Sequence, residues 1–128
     1  MSGNGIMSQN ILLASALNSV GETLHKYFLS AGFNVRLAGS ESAALDMLRE
    51  SLPDLLIIEN ITTLDGNRII QAVRSDARLS PIPILIISQN PTSEEIIDYL
   101  SSGADDVIAP YQPRVIVARV RAILRRQS

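Results

Sequence analysis

Apolar residues fall along this chain in short solid runs separated by longer stretches with helical spacing. Ile11 to Ala14, Leu55 to Ile58 and Ile84 to Ile87 are continuous apolar runs of strand length. Runs of that kind are expected for strands covered on both faces. Asn34 to Ala38 alternates weakly and reads as another strand, and Val107-Ile108 as a short fifth. Between them the period changes. Val20 to Ala31 places Val20, Leu24, Tyr27, Phe28 and Ala31 on one helical face, and Gly32 stands where a helix-ending glycine belongs. Ser40 is set to cap a helix with Ala44, Leu45 and Leu48 inward, which Pro53 closes off. Asp65-Gly66 marks a turn before a helix carrying Ile69, Ile70 and Val73. Ser93 is placed to cap a helix with Ile96, Ile97 and Leu100 inward, ended by Gly103. In the last stretch Ile116, Val117, Val120, Ile123 and Leu124 recur at i, i+1, i+4, i+7 and i+8, one stripe of an amphipathic helix.

Strand and helix therefore alternate five times. Apolar strands with short connections imply a parallel sheet with helices on both faces, here a flavodoxin-like (βα)5 doubly wound α/β domain. Residues 1–10 read as a loose Gly, Asn and Ser tail, residues 11–126 as one domain, and 127–128 as its end or the start of a linker. With 128 residues the chain is long enough to bury a core without staples. It has no cysteine, so disulfides, thiolate metal sites and a cysteine nucleophile are excluded. His25 is the single histidine, which excludes multi-histidine metal sites and leaves one candidate imidazole base, placed on the first helix away from the strand ends. No apolar run approaches the roughly 18 residues of a membrane span. The opening residues lack a basic flank followed by an apolar stretch, so no secretory signal is read and a cytoplasmic location is expected.

The net charge of −2 says little, but its distribution says more. Lys26 is the only lysine, and five arginines fall in the last fifteen residues: Arg114, Arg119, Arg121, Arg125 and Arg126. With no tryptophan and few aromatics, a base-stacking platform is not expected, nor is direct nucleic-acid contact. The arginines read first as the polar back of an amphipathic helix.

In doubly wound sheets ligands sit beyond the carboxyl ends of the strands. The residues there are Ser15 and Ala16, Glu59 and Asn60, Ser88 and Gln89, and Ala109 and Pro110. Around them stand Pro53-Asp54-Leu55-Leu56-Ile57-Ile58, Leu64-Asp65-Gly66, Ile82-Pro83-Ile84, Gly103-Ala104-Asp105-Asp106, and Pro113-Arg114 leading into Ala118-Arg119-Val120-Arg121-Ala122. In that order and spacing the chain resembles the receiver domain of bacterial response regulators over roughly residues 11–126.

The resemblance implies a phosphoryl-accepting aspartate ending the third strand, an acidic pair after the first that helps hold Mg²⁺, a hydroxyl ending the fourth, an aromatic on the fifth, and a Lys-Pro after it. Metal and lysine would neutralise the transferring phosphoryl group. Here the acceptor position carries Glu59 and the acidic pair falls on Ser15 and Ala16. The hydroxyl is kept as Ser88, Val107 replaces the aromatic, and Ala109 runs straight into Pro110 with the lysine lost. No cofactor and no metal are expected.

Glu59 has two readings: a fixed stand-in for a charged acceptor reaching toward Ser88, or an ordinary strand-end carboxylate. Ser88 either bonds Glu59 or a ligand, or satisfies a backbone group. Asp105 and Asp106 read as ion-pair residues, with Arg119 as partner. The resemblance also implies an interaction face over the last two helices, with Glu94, Glu95 and Asp98 opposite Arg114, Arg119 and Arg121. Such a face would allow weak two-fold pairing. The expected function is a pseudo-receiver: no enzyme, but a phosphorylation-independent interaction module acting on protein partners, or on an output domain beyond residue 128. The alternative is a small-ligand or nucleotide-binding module of the same fold, against which stands the lack of a glycine-rich phosphate cradle.

Overall fold

The computed structural model describes residues 9–16, 19–59, 65–109 and 112–126. Its elements run β1 (Asn10–Ala14), α1 (Ser19–Ser30), β2 (Asn34–Ala38), α2 (Glu41–Glu50), β3 (Leu55–Glu59), α3 (Gly66–Ser75), β4 (Ile84–Ile87), α4 (Ser93–Ser102), β5 (Asp106–Ile108) and α5 (Pro113–Arg126). The five strands form one parallel sheet in the order β2-β1-β3-β4-β5. β1 begins at Asn10, one residue inside the segment expected to be tail.

Strand alternation divides the core in two. Leu12, Ala14, Leu56, Ile58, Ile84 and Ile86 pack with α2, α3 and α4. Ile11, Leu13, Leu55, Ile57, Leu85 and Ile87 pack with α1 and α5. The central strands are buried on both faces, which is why they read as solid apolar runs. Ile116, Val117, Val120, Ile123 and Leu124 form the inner stripe of α5 as their spacing predicts.

Some local expectations change. The cap of α4 is Thr92, not Ser93. Its hydroxyl accepts from the Glu95 amide while the Glu95 carboxylate accepts from the Thr92 amide, a capping box that Ser93 one residue later cannot form. The inner face of α4 is also rotated from expectation. Tyr99 is buried, while Ile97 is 60% exposed and Leu100 46% exposed. The Tyr99 ring lies against Gly66 at the start of α3, where an added methyl would stand 3.3 Å from Cε1. A large aromatic filling that space turns the smaller apolar residues outward. On α1, Tyr27 lies outside the buried face at 43% exposure, because Leu24 and Phe28 already fill the layer over the sheet. Asp65 caps α3, accepting from the Arg68 amide at 3.3 Å, and Gly66 is the first helical residue.

Candidate functional site

All five strands are parallel, so their carboxyl ends share one edge of the sheet. Ser15 extends β1, its amide donating to Ala38 O at 2.9 Å. Ser88 extends β4 in the same way, donating to Ile108 O at 3.0 Å. Glu59 is the last residue of β3 and stands opposite Ile87 in the ladder. Ser15, Glu59 and Ser88 are the three buried polar or charged residues among those described, and they meet at this edge.

The Glu59 carboxylate is turned toward β1 and α1. Alternation puts it on the face of Leu55 and Ile57, the layer shared with α1 and α5. There Ser15 Oγ donates to Glu59 Oε1 at 2.5 Å. Gly21, buried in the first turn of α1, closes the site from above. A methyl on Gly21 would fall 2.2 Å from Ser15 Oγ and 3.6 Å from Glu59 Oε1. Only a glycine lets the helix pass this close to the pair. The hydrogen bond of Glu59 thus runs to Ser15, and none joins it to Ser88. The expected reach toward Ser88 is not the arrangement present.

Burial pushes the Glu59 carboxyl above its ordinary range, and the Ser15 hydrogen bond pulls part of the way back. Glu59 is only 3% exposed, and no arginine, lysine or histidine pairs with it among the described residues. Mg²⁺ takes near-octahedral oxygen ligands and is held through carboxylates. One carboxylate already bonded to one hydroxyl, with no second carboxylate beside it among the described residues, does not fit that ion. Among the described residues no cluster of three His, Asp or Glu side chains is placed to hold a metal.

The other sequence-derived positions lie apart from this pair. Ala16 is half-buried beside Ser15, and Ala109 is exposed after β5. Val107 is half-buried against the α3–α4 layer. Pro110 and Asn60 fall outside the described residues. His25 is half-buried on α1. Asp106 pairs with Arg119 at 3.0 Å as its position predicts. Asp105, in contrast, binds Arg74. Glu94, Glu95 and Asp98 are exposed on α4, with the Glu95 carboxylate engaged in the cap. The three arginines do not share one side of α5. Arg119 pairs with Asp106 on β5 and Arg121 reaches back toward Ala31 O at 3.4 Å, while Arg114 and Arg119 flank opposite sides of a groove beside Tyr27 of α1. A single basic face opposite Glu94, Glu95 and Asp98 is therefore not formed, because the turn of α5 over α1 divides the arginines. Gly21 is not among the sequence-derived positions, since its only signal is a glycine near the start of a helix.

The sequence matches the response regulator receiver domain family over residues 11–121. It is 34% identical over 124 residues to the DNA-binding response regulator MtrA of Mycolicibacterium smegmatis, covering 95% of this chain and 53% of that protein. The chain spans about half the length of the curated relatives it matches. Among solved structures, a protein described as a response regulator from Chloroflexus aurantiacus superposes with a TM-score of 0.86 at 30% identity, covering 92% of this chain and 98% of that one. HP1043, an orphan response regulator of H. pylori, gives a TM-score of 0.78 at 27% identity over 91% of this chain and 97% of that one.

Proposed function

The chain belongs to the response regulator receiver domain family, and on that premise we propose that it is a receiver whose signalling does not run through phosphoryl transfer to the strand-end carboxylate. The observation that supports this reading is the Ser15–Glu59 pair under Gly21. Phosphoryl transfer to a carboxylate needs an accessible acceptor oxygen and positive charge placed where the transferring group's charge develops. Here the carboxylate is buried and hydrogen-bonded, Ser15 and Ala16 stand where the family resemblance implies an acidic pair, and Ala109 stands where it implies the approach of a lysine. In this reading Glu59 is a structural carboxylate joining β3 to β1.

Such a domain acts by what it binds: a protein partner or a linked output domain, in the cytoplasm. Its candidate contact surfaces are an acidic one on α4, with Glu94, Glu95 and Asp98, and a basic one on α5, with Arg114, Arg119 and Arg121. No helix among the described residues is long and apolar enough to cross a membrane. MtrA is named as DNA-binding, and this chain covers half of it. The expectation of no nucleic-acid contact therefore has no support for a longer protein.

The test is incubation with acetyl phosphate and Mg²⁺, read by intact-mass spectrometry. No added phosphoryl mass is expected. A phosphorylated species that disappears in Glu59→Gln refutes the proposal.

A further inference from the structure

Between α1 and α5 runs an open groove of about 800 Å³, lined chiefly by Tyr27, Arg114, Val115, Ala118, Arg119 and Ala122. A second hollow of about 410 Å³ shares Tyr27, Arg114 and Ala118 with it and carries Arg121 at its side. The floor is small and apolar and the sides are arginine. α5 contains no acidic residue, and Arg114 has no ion-pair partner among the described residues. The groove thus fits a helix bearing apolar side chains flanked by carboxylates.

The same molecule presents such a helix. Glu94, Ile97, Asp98 and Ser101 follow at i, i+3, i+4 and i+7 on the outer face of α4, with exposed Leu100 beside them. α4 has no basic residue, and neither Glu94 nor Asp98 forms an ion pair among the described residues. Patch and groove cannot meet within one molecule, because α4 packs on one face of the sheet and α1 and α5 on the other.

We propose that a second copy of this chain fills the groove. The outer face of α4 seats between α1 and α5 of its neighbour, with Ile97 and Leu100 on the apolar floor and Glu94 and Asp98 against Arg114 and Arg121. This rests on reading the chain as an interaction module. It replaces the two-fold pairing expected over the last two helices with a head-to-tail contact. Two different surfaces meet, so each copy keeps one free groove and one free α4, and assembly continues unless the rotation closes a ring. Opposite charge guides the encounter and is screened by salt.

Sedimentation velocity over a concentration series at low and high salt tests this. The mean mass is expected to rise past that of a dimer at low salt and to fall at high salt. Ile97→Arg removes the helix patch and Ala118→Glu blocks the groove. Both positions are exposed, so both variants should fold, as circular dichroism will verify. Each alone should associate about tenfold more weakly or worse. Mixed, they should restore association that stops at a dimer, because one supplies a working groove and the other a working helix. A wild-type chain that stays monomeric, a plateau at dimer, undiminished association in either variant, or a mixture that stays monomeric each overturns the proposal. None of these results bears on phosphoryl acceptance, which the acetyl phosphate experiment reads separately.

Discussion

At the scale of single residues, the sharpest constraint is the contact between Gly21 and the Ser15–Glu59 pair. Gly21→Ala gains helix propensity worth about 1 kcal/mol. It also drives a methyl to 2.2 Å from Ser15 Oγ, and overpacking of that kind costs about 1–3 kcal/mol. Net destabilisation is expected in urea melts. Adding Ser15→Ala should recover part of it, since the clashing oxygen is gone, and a double-mutant cycle reads the coupling. The raised pKa of Glu59 carries its own sign. The folded state holds this proton to higher pH than the unfolded chain, so it favours folding below the ordinary value of 4.5. That contribution is lost as pH rises from 4.5 through the raised folded value. Glu59→Gln keeps an acceptor for Ser15 and has no charge to bury. Its stability relative to wild type should therefore increase across that window and stay level above it. A constant difference from acid to neutral pH would show that Glu59 is not ionising in a buried place. The sequence made the site's members legible, because strand ends locate Ser15, Glu59 and Ser88. It did not make their pairing legible, because the direction of the carboxylate depends on which helix leaves room for it.

At the scale of elements, Arg74 on α3 does more than its sequence context suggests. Its guanidinium donates to Gly103 O at 2.7 and 3.0 Å, to Ser80 O at 2.5 Å, to Ile82 O at 2.6 Å and to Asp105 Oδ2 at 3.0 Å. Asp105 in turn accepts from the Ile84 amide at 2.7 Å. One side chain thereby joins the ends of α3 and α4 to the entry of β4. Hydrogen bonds to charged groups contribute about 1.5–3 kcal/mol each when a partner is removed singly. The side chain is partly exposed, so Arg74→Met should cost about 2–4 kcal/mol in total, measured by denaturant melts. Thr92→Ala should cost about 1 kcal/mol through the lost cap, while Ser93→Ala should be nearly silent. Periodicity found all ten elements because a two-sided strand and a one-sided helix leave different apolar patterns. It failed on α4, where Ile96, Ile97 and Leu100 look like a core stripe. Burial of Tyr99 over Gly66 decides the rotation of that helix, and this is a contact between elements that a single helix's spacing does not encode.

At the scale of the whole molecule, the two core layers are closed over the central strands and thin at the rim. β5 has three residues and is only partly buried, whereas β1, β3 and β4 are buried almost throughout. Native-state hydrogen exchange should find Leu12, Leu56 and Ile57 most protected and Val107 among the first sheet amides to open. Equal protection across the sheet would show that the rim is not a separate unit. The short outer strand has a further role in keeping the protein dispersed. It covers the edge of β4, whose Ile-Leu-Ile-Ile run has the β-propensity and lack of charge of an aggregating segment. Asp105 and Asp106, held by Arg74 and Arg119, fix that cover at its start. The opposite edge, β2, carries Arg36 in mid-strand, a charge that discourages strand addition there. Cells carrying Arg119→Ala or Arg74→Met should therefore show the defect first as insoluble protein at raised temperature, before any change in what the folded domain binds.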